Sequence, residues 1–148
     1  MDYLKEIDNG LIIEKPKIVL PWTLQKKDLF YKISDISKVN ENYYTLNVVL
    51  PEISFVNCIG LHFQNERLSE IELFNNEKMG AEPEIGNIFK NHQLILENSF
   101  GVSRRNKLSN FFKGCNKEYR WKFKYVTIIH KLWDRFGKEE VLKIYIKR

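Results

Sequence analysis

Three histidines, His62, His92 and His130, are the residues of this chain best suited to proton transfer or metal binding near neutral pH. An imidazole becomes a base, an acid or a ligand when a carboxylate or a second ligand stands beside it. No HExxH, HxH or HxxxH spacing is present, and no Asp or Glu cluster completes a metal set in sequence. His62 and His130 fall in strand-like segments and could face each other across a sheet. Satisfied or solvated strand histidines are the plainer reading. Cys58 and Cys115 lack CxxC or CxxH spacing and read as free thiols of a reducing compartment, with a disulfide or a metal pair as the alternatives. No serine sits in a GxSxG or SxxK pattern, and the seven glycines form neither GxxxxGK[ST] nor GxGxxG. Glu70 with Glu72, and Glu139 with Glu140, are carboxylate pairs that read first as solvated surface. The chain is therefore expected to carry no catalytic residue, no cofactor site and no metal ligand.

The pattern with the clearest physical content lies near the C-terminal end. Tyr119, Trp121, Phe123 and Tyr125 alternate with Arg120, Lys122 and Lys124. On a strand the four rings take one face and the three cations the other. Rings and cations on one surface would suit single-stranded nucleic acid. Segregated as here, they fit better as core on one side and a solvated basic face on the other. Arg104, Arg105, Lys107 and Lys113 lie upstream and extend that basic face. These residues, with Arg120, Lys122 and Lys124, are the candidate contacts to an acidic protein partner.

The elements that must position these residues alternate between helix and meander. Leu11–Ile13 and Ile18–Leu20, separated by Pro16, read as edge strands. Thr23 is placed to cap a short helix over about 24–34, with Trp22, Leu29, Phe30 and Ile33 on one face. Strands are expected over 43–50, 55–64 and 68–74, the last two joined by a hairpin turn at Gln64–Arg67. Residues 75–86 read as loop. A second helix over about 85–99 carries Ile85, Ile88, Phe89, Ile95 and Leu96 as its apolar stripe, with His92 at the stripe's edge and Gly101 as its C′ residue. Residues 102–107 read as loop or a short helical turn ending near Gly114. Residues 119–133 form one bent strand or two, 134–138 turn the chain, and 141–146 close it. The expected class is α+β, an antiparallel meander sheet with two helices on one face, and the order admits two αβββ units.

Composition places all 148 residues in one domain. At this length a chain buries roughly two-thirds of its unfolded surface without a disulfide or metal staple. Apolar residues make up 43% and charged residues 29%, which argues against disorder. Aromatic residues, at 14%, suit sheet surfaces. Met1–Glu6 is mixed in charge with no basic-then-apolar segment, so no signal peptide or membrane span is expected, and the cytoplasm is the expected location. Residues 1–100 hold ten Lys or Arg against fifteen Asp or Glu, and residues 101–148 hold fourteen against four. Lysine outnumbers arginine eighteen to six, a bias that AT-rich coding also produces, so the basic surplus is weak evidence for nucleic acid. Folding could bring the two halves together and neutralise much of the field.

Tyr119-x-Trp121-x-Phe123, then Ile128-Ile129-His130, Asp134-Arg135-Phe136-Gly137 and Ile144-x-Ile146 resemble the closing sheet of small bacterial proteins. Some of these belong to the immunity proteins of polymorphic toxin systems. Leu61-x-Phe63-x-Asn65-x-x-Leu68-x-x-Ile71-x-Leu73 has the same character, and two helix-plus-meander units resemble the topology of β-lactamase inhibitor proteins. The resemblance spans about half the chain and implies a non-enzymatic, protein-binding, immunity-type inhibitor. Two other readings stay open: a nucleic-acid-binding module using residues 101–131, and a small-ligand binder or enzyme with a pocket between helix and sheet near His62, His130 and Trp133.

Overall fold

A computed structural model describes residues 6–77, 85–105, 117–134 and 138–148, which leaves Lys107, Lys113 and Cys115 outside the described residues. The chain opens on a hairpin of β1 (Leu11–Ile13) and β2 (Ile18–Leu20). This pair forms its own two-stranded sheet, tied to the rest by a bridge between Lys15 and Val49. All three residues of β1 are buried, and Trp22 donates its indole N–H to the Ile7 carbonyl at 2.6 Å.

The first helix is much shorter than the apolar spacing predicts. A 3-10 turn over Lys26–Asp28 leads into α1 (Leu29–Lys32), and Gln25, not Thr23, stands at the N-cap position. The backbone before it is already committed. Gln25 forms a bridge to Arg67, the Leu24 carbonyl accepts from Leu68 N–H, and Lys26 N–H donates to the Glu66 carbonyl. Those bonds to the following hairpin hold residues 24–26 extended and leave room for one helical turn. Trp22, Leu29 and Ile33 are buried as expected, but Phe30 is exposed.

Eight antiparallel strands follow: β3 (Ser37–Asn40), β4 (Tyr43–Asn47), β5 (Cys58–Gln64), β6 (Arg67–Phe74), β7 (Arg104–Arg105), β8 (Lys117–Lys122), β9 (Val126–Asp134) and β10 (Lys138–Ile146). Helix α2 (Ile85–Phe100) lies between β6 and β7 in sequence. The sheet order is β3-β4-β5-β6-β10-β9-β8-β7, so two four-stranded meanders join last strand to last strand. Ile71 and Ile144 pair at that seam and are both fully buried. Counting outward, Ile71 pairs Leu61 and Leu61 pairs Tyr44, while Ile144 pairs Ile128 and Ile128 pairs Trp121. Tyr44 and Trp121 thus hold equivalent places, and each meets a helix phenylalanine edge-on: Phe30 at 5.8 Å and Phe100 at 5.9 Å. Each half has four strands where three were expected. The extra ones, β3 and β7, are short border strands without an apolar alternation to announce them.

The hairpin at Gln64–Arg67 forms with a two-residue turn, Asn65 at φ 52° and Glu66 at φ 63°. Both lie in the left-handed region that matches strand twist in such turns. Gly101 follows α2 at φ 88° and its N–H bonds the Glu97 carbonyl, as the C′ reading requires. Trp121 pins that helix end by donating its indole N–H to the Gly101 carbonyl at 2.8 Å. The segment 119–133 is two strands, with Phe123–Tyr125 as the turn between them.

One face of the sheet carries the core: Tyr44, Leu46, Ile59, Leu61, Ile71, Leu73, Trp121, Ile128, Leu142 and Ile144. Both helices pack on this inner face. The fold is α+β with an antiparallel sheet, and among the described residues no helix is long and apolar enough to cross a membrane.

Candidate interaction face

Strand alternation sends every second residue to the outer face, where Phe74, Ile129, Val141 and Trp133 stand among polar and charged side chains. Of the described residues there, only Cys58 and Gly60 are buried; the rest are half-buried or exposed. Burial pushes the Cys58 thiol above its ordinary value, so it is not a reactive thiolate. Gly60 has a steric role. The Tyr43 ring lies over it so closely that an added Cβ would sit 2.5 Å from the phenol oxygen. That space lets Tyr43 lie flat on its cross-strand partner His62, with ring centroids 4.2 Å apart and planes 16° from parallel.

Four strands converge beside this stack. His62 Nε2 stands 2.8 Å from Glu72 Oε1, and Lys143 Nζ stands 2.8 Å from Glu70 Oε1 and 3.7 Å from Glu72 Oε1. Burial works to lower the Lys143 pKa, but Glu70, with Tyr145 and Glu72, holds the ammonium above its ordinary value. His62, Glu70 and Glu72 are also the one set of described residues whose ligand atoms lie within 4.8 Å of one another, close enough to share a metal ion. Lys143 is the cation that neutralises them. This cluster, across the seam between β6 and β10, is where the acidic first hundred residues meet the basic remainder.

Further along the same face, Lys131 Nζ lies 4.5 Å above the Trp133 ring. A depression of about 550 Å³ runs between them and Tyr43, Glu72 and Glu139. Toward the sheet border stand Arg120, Lys122 and Arg104, all exposed. Arg104 pairs Arg120 directly across β7 and β8, and Arg120 Nε donates to Glu118 Oε2 at 2.8 Å. Arg105 joins the same ladder opposite Tyr119. Lys124 belongs to the turn after β8, its Nζ 4.9 Å above the Tyr125 ring.

The stripe of alternating rings and cations is therefore bounded by Lys122. Tyr119, Trp121 and Phe123 pack against the core while Arg120 and Lys122 face out, as expected, but Tyr125 is exposed in the turn. Rings and cations are not segregated over the sheet as a whole, because Tyr43, Trp133 and Tyr145 come to the cation face from other strands.

His62 and Trp133 lie on the outer face, whereas His130 is on the inner face and wholly buried, so the three do not line one pocket. His130 Nδ1 donates to Gln93 Oε1 at 2.7 Å, and its ring stacks on Phe89 at 4.1 Å. Its Nε2 stands 3.3 Å from Glu140 Oε2. Burial lowers the His130 pKa. Glu140 is not solvated surface. Burial alone would raise its pKa, but contacts from His130 and His92 bring it down to about 2. His92 belongs to the buried stripe itself, with Nδ1 at 2.7 and 3.0 Å from the two Glu140 oxygens. The 3.6-residue repeat through Ile85, Ile88, Phe89 and Leu96 includes position 92, which was the available signal. Glu139 and Glu140 part because neighbouring strand residues face opposite ways.

No protein-family model matches this chain, and neither the curated proteins nor the solved structures contain a match to it.

Proposed function

We propose that the chain is a non-enzymatic domain that binds an acidic protein surface through the outer face of its sheet. The observation that carries this reading is the Arg104–Arg120 pair. Like charges directly opposite on adjacent strands cost stability, a cost that the contact of Arg120 with Glu118 offsets only on the Arg120 side. An acidic partner would relieve that repulsion and speed encounter. Trp133, Tyr43 and Tyr145 beside the cations supply the residue types that dominate protein interfaces.

Nucleic acid fits this face less well. Glu70, Glu72, Glu118 and Glu139 are interspersed with the cations, and Lys143 and Arg120 already contact carboxylates. The finer reading, an immunity-type inhibitor of a toxin, rests on the resemblance of the hairpin and closing sheet. Its test is direct binding to the product of the adjacent gene. Binding should occur, with an association rate that falls with salt and falls about tenfold or more in Arg120→Glu/Lys122→Glu. No binding, or steeply salt-dependent binding to oligonucleotides in its place, overturns the reading.

A further inference from the structure

A second site lies on the other side of the sheet and is independent of the outer-face reading. Between α2 and the sheet there is a pocket of about 250 Å³ whose wall includes Phe55, Phe74, Ile88 and Leu142. Its polar lining brings together His92, Glu140, Glu77 and Asn75. The size is just below the usual range for small-molecule sites, so a ligand must be compact.

His92 is set in place from two directions. Phe55 stacks on the ring at 3.7 Å with planes 8° apart, and Nδ1 reaches both oxygens of Glu140. Glu140 is ionised over the physiological range and can only accept, so Nδ1 carries the hydrogen. In the neutral ring this leaves the Nε2 lone pair as an acceptor. Nε2 makes no hydrogen bond among the described residues. Among the described residues, the charged side chains lining the pocket are Glu77 and Glu140, with no lysine or arginine. An anion would meet two carboxylates and a lone pair. A cation with N–H donors would meet an acceptor, negative charge and an aromatic wall.

We propose that this pocket binds a small organic ammonium ion, a compact apolar body bearing a protonated primary amine, with the amine N–H donated to His92 Nε2 and its charge facing Glu77.

The test uses the full chain and three probes of similar size at pH 7.5: benzylammonium, benzyl alcohol and benzoate. Binding is followed through the ring nitrogens of His92 by NMR. Benzylammonium should saturate and shift the His92 Nε2 resonance. Benzyl alcohol should bind about tenfold more weakly or worse, and benzoate should not saturate. Ile88→Trp, which fills the pocket, should abolish binding. Glu77→Gln should weaken it several-fold, and because Glu77 is exposed this variant stays readable if Ile88→Trp does not fold. Benzoate binding as well as benzylammonium, His92 signals that stay still at saturation, or full affinity in Glu77→Gln would overturn the proposal.

Discussion

Gln93 and His130 are 37 residues apart in sequence, yet Gln93 Oε1 accepts the His130 Nδ1 proton at 2.7 Å in the buried layer between α2 and β9. The same amide donates to Glu97 Oε1 and Ser103 Oγ, both at 3.0 Å, and Ser103 donates to Glu97 at 2.8 Å. One glutamine thus ties Nδ1 of a strand histidine to its own helix and to the segment that follows it.

Gln93→Leu should be among the costlier substitutions in the chain. It keeps the volume but leaves His130 Nδ1 without an acceptor in a site that excludes water. The expected loss is about 2–3 kcal/mol, read from urea denaturation. A loss under about 0.5 kcal/mol would mean that the network does not hold α2 to the sheet.

Stability should fall on acidification in two stages. His130 has a folded pKa below its ordinary 6.5, and Glu140 titrates at about 2 against an ordinary 4.5. In both cases the unfolded chain takes up its proton first, so stability is complete above the unfolded value and lost as pH drops through the window beneath it. The groups facing this pair are His92, Gln93 and Phe89 from α2. The first decline should begin near pH 6.5. The second should run from pH 4.5 toward 2 and amount to about 3 kcal/mol. Urea midpoints measured against pH should show the second stage flattened in Glu140→Gln; an unchanged profile would remove Glu140 from the account.

Gly60→Ala should unseat Tyr43. The new Cβ would meet the ring at 2.5–2.6 Å, so the phenol must swing away and give up its stack on His62. A cost of about 1–3 kcal/mol is expected, with the ring-current shift of His62 lost from the NMR spectrum. If that shift survives, the backbone has yielded and the flat stack is not what Gly60 secures.

Glu66→Gly should stabilise the protein. Glu66 sits at φ 63° in the hairpin turn, a conformation that costs a side chain roughly 1 kcal/mol and glycine nothing. Its ion pair to Lys26 at 3.9 Å is a surface contact of little value. After the larger unfolded-state entropy of glycine, a gain of about 0.5 kcal/mol remains, or roughly 1–2 °C in Tm. A lower Tm would show that the turn is held by contacts of the glutamate side chain.

Local chemistry was legible where a pattern repeats within a few residues. The Asn65–Glu66 turn, the extent of α2, the Gly101 cap and the inward set Tyr119, Trp121 and Phe123 all follow from alternation, period and turn residues. The short first helix was not legible, because the hairpin bonds that shorten it come from residues 66–68. Neither was the seam. Ile71 and Ile144 each look like any inward strand residue, and nothing near either one states that they pair.

The same division runs through the candidate sites. Sequence determined the alternation that faces Arg120 and Lys122 outward and the helical period that includes His92, since both depend on backbone geometry within one element. It also determined the unequal charge of the two parts of the chain. Only the tertiary structure decided where those charges meet. By pairing β10 with β6 it set Lys143 against Glu70 and Glu72, and by packing α2 on β9 and β10 it enclosed Glu140 between two histidines. A carboxylate's partner is fixed by distance in space, and no spacing along the chain encodes that distance when the partners lie 48 residues apart, as His92 and Glu140 do.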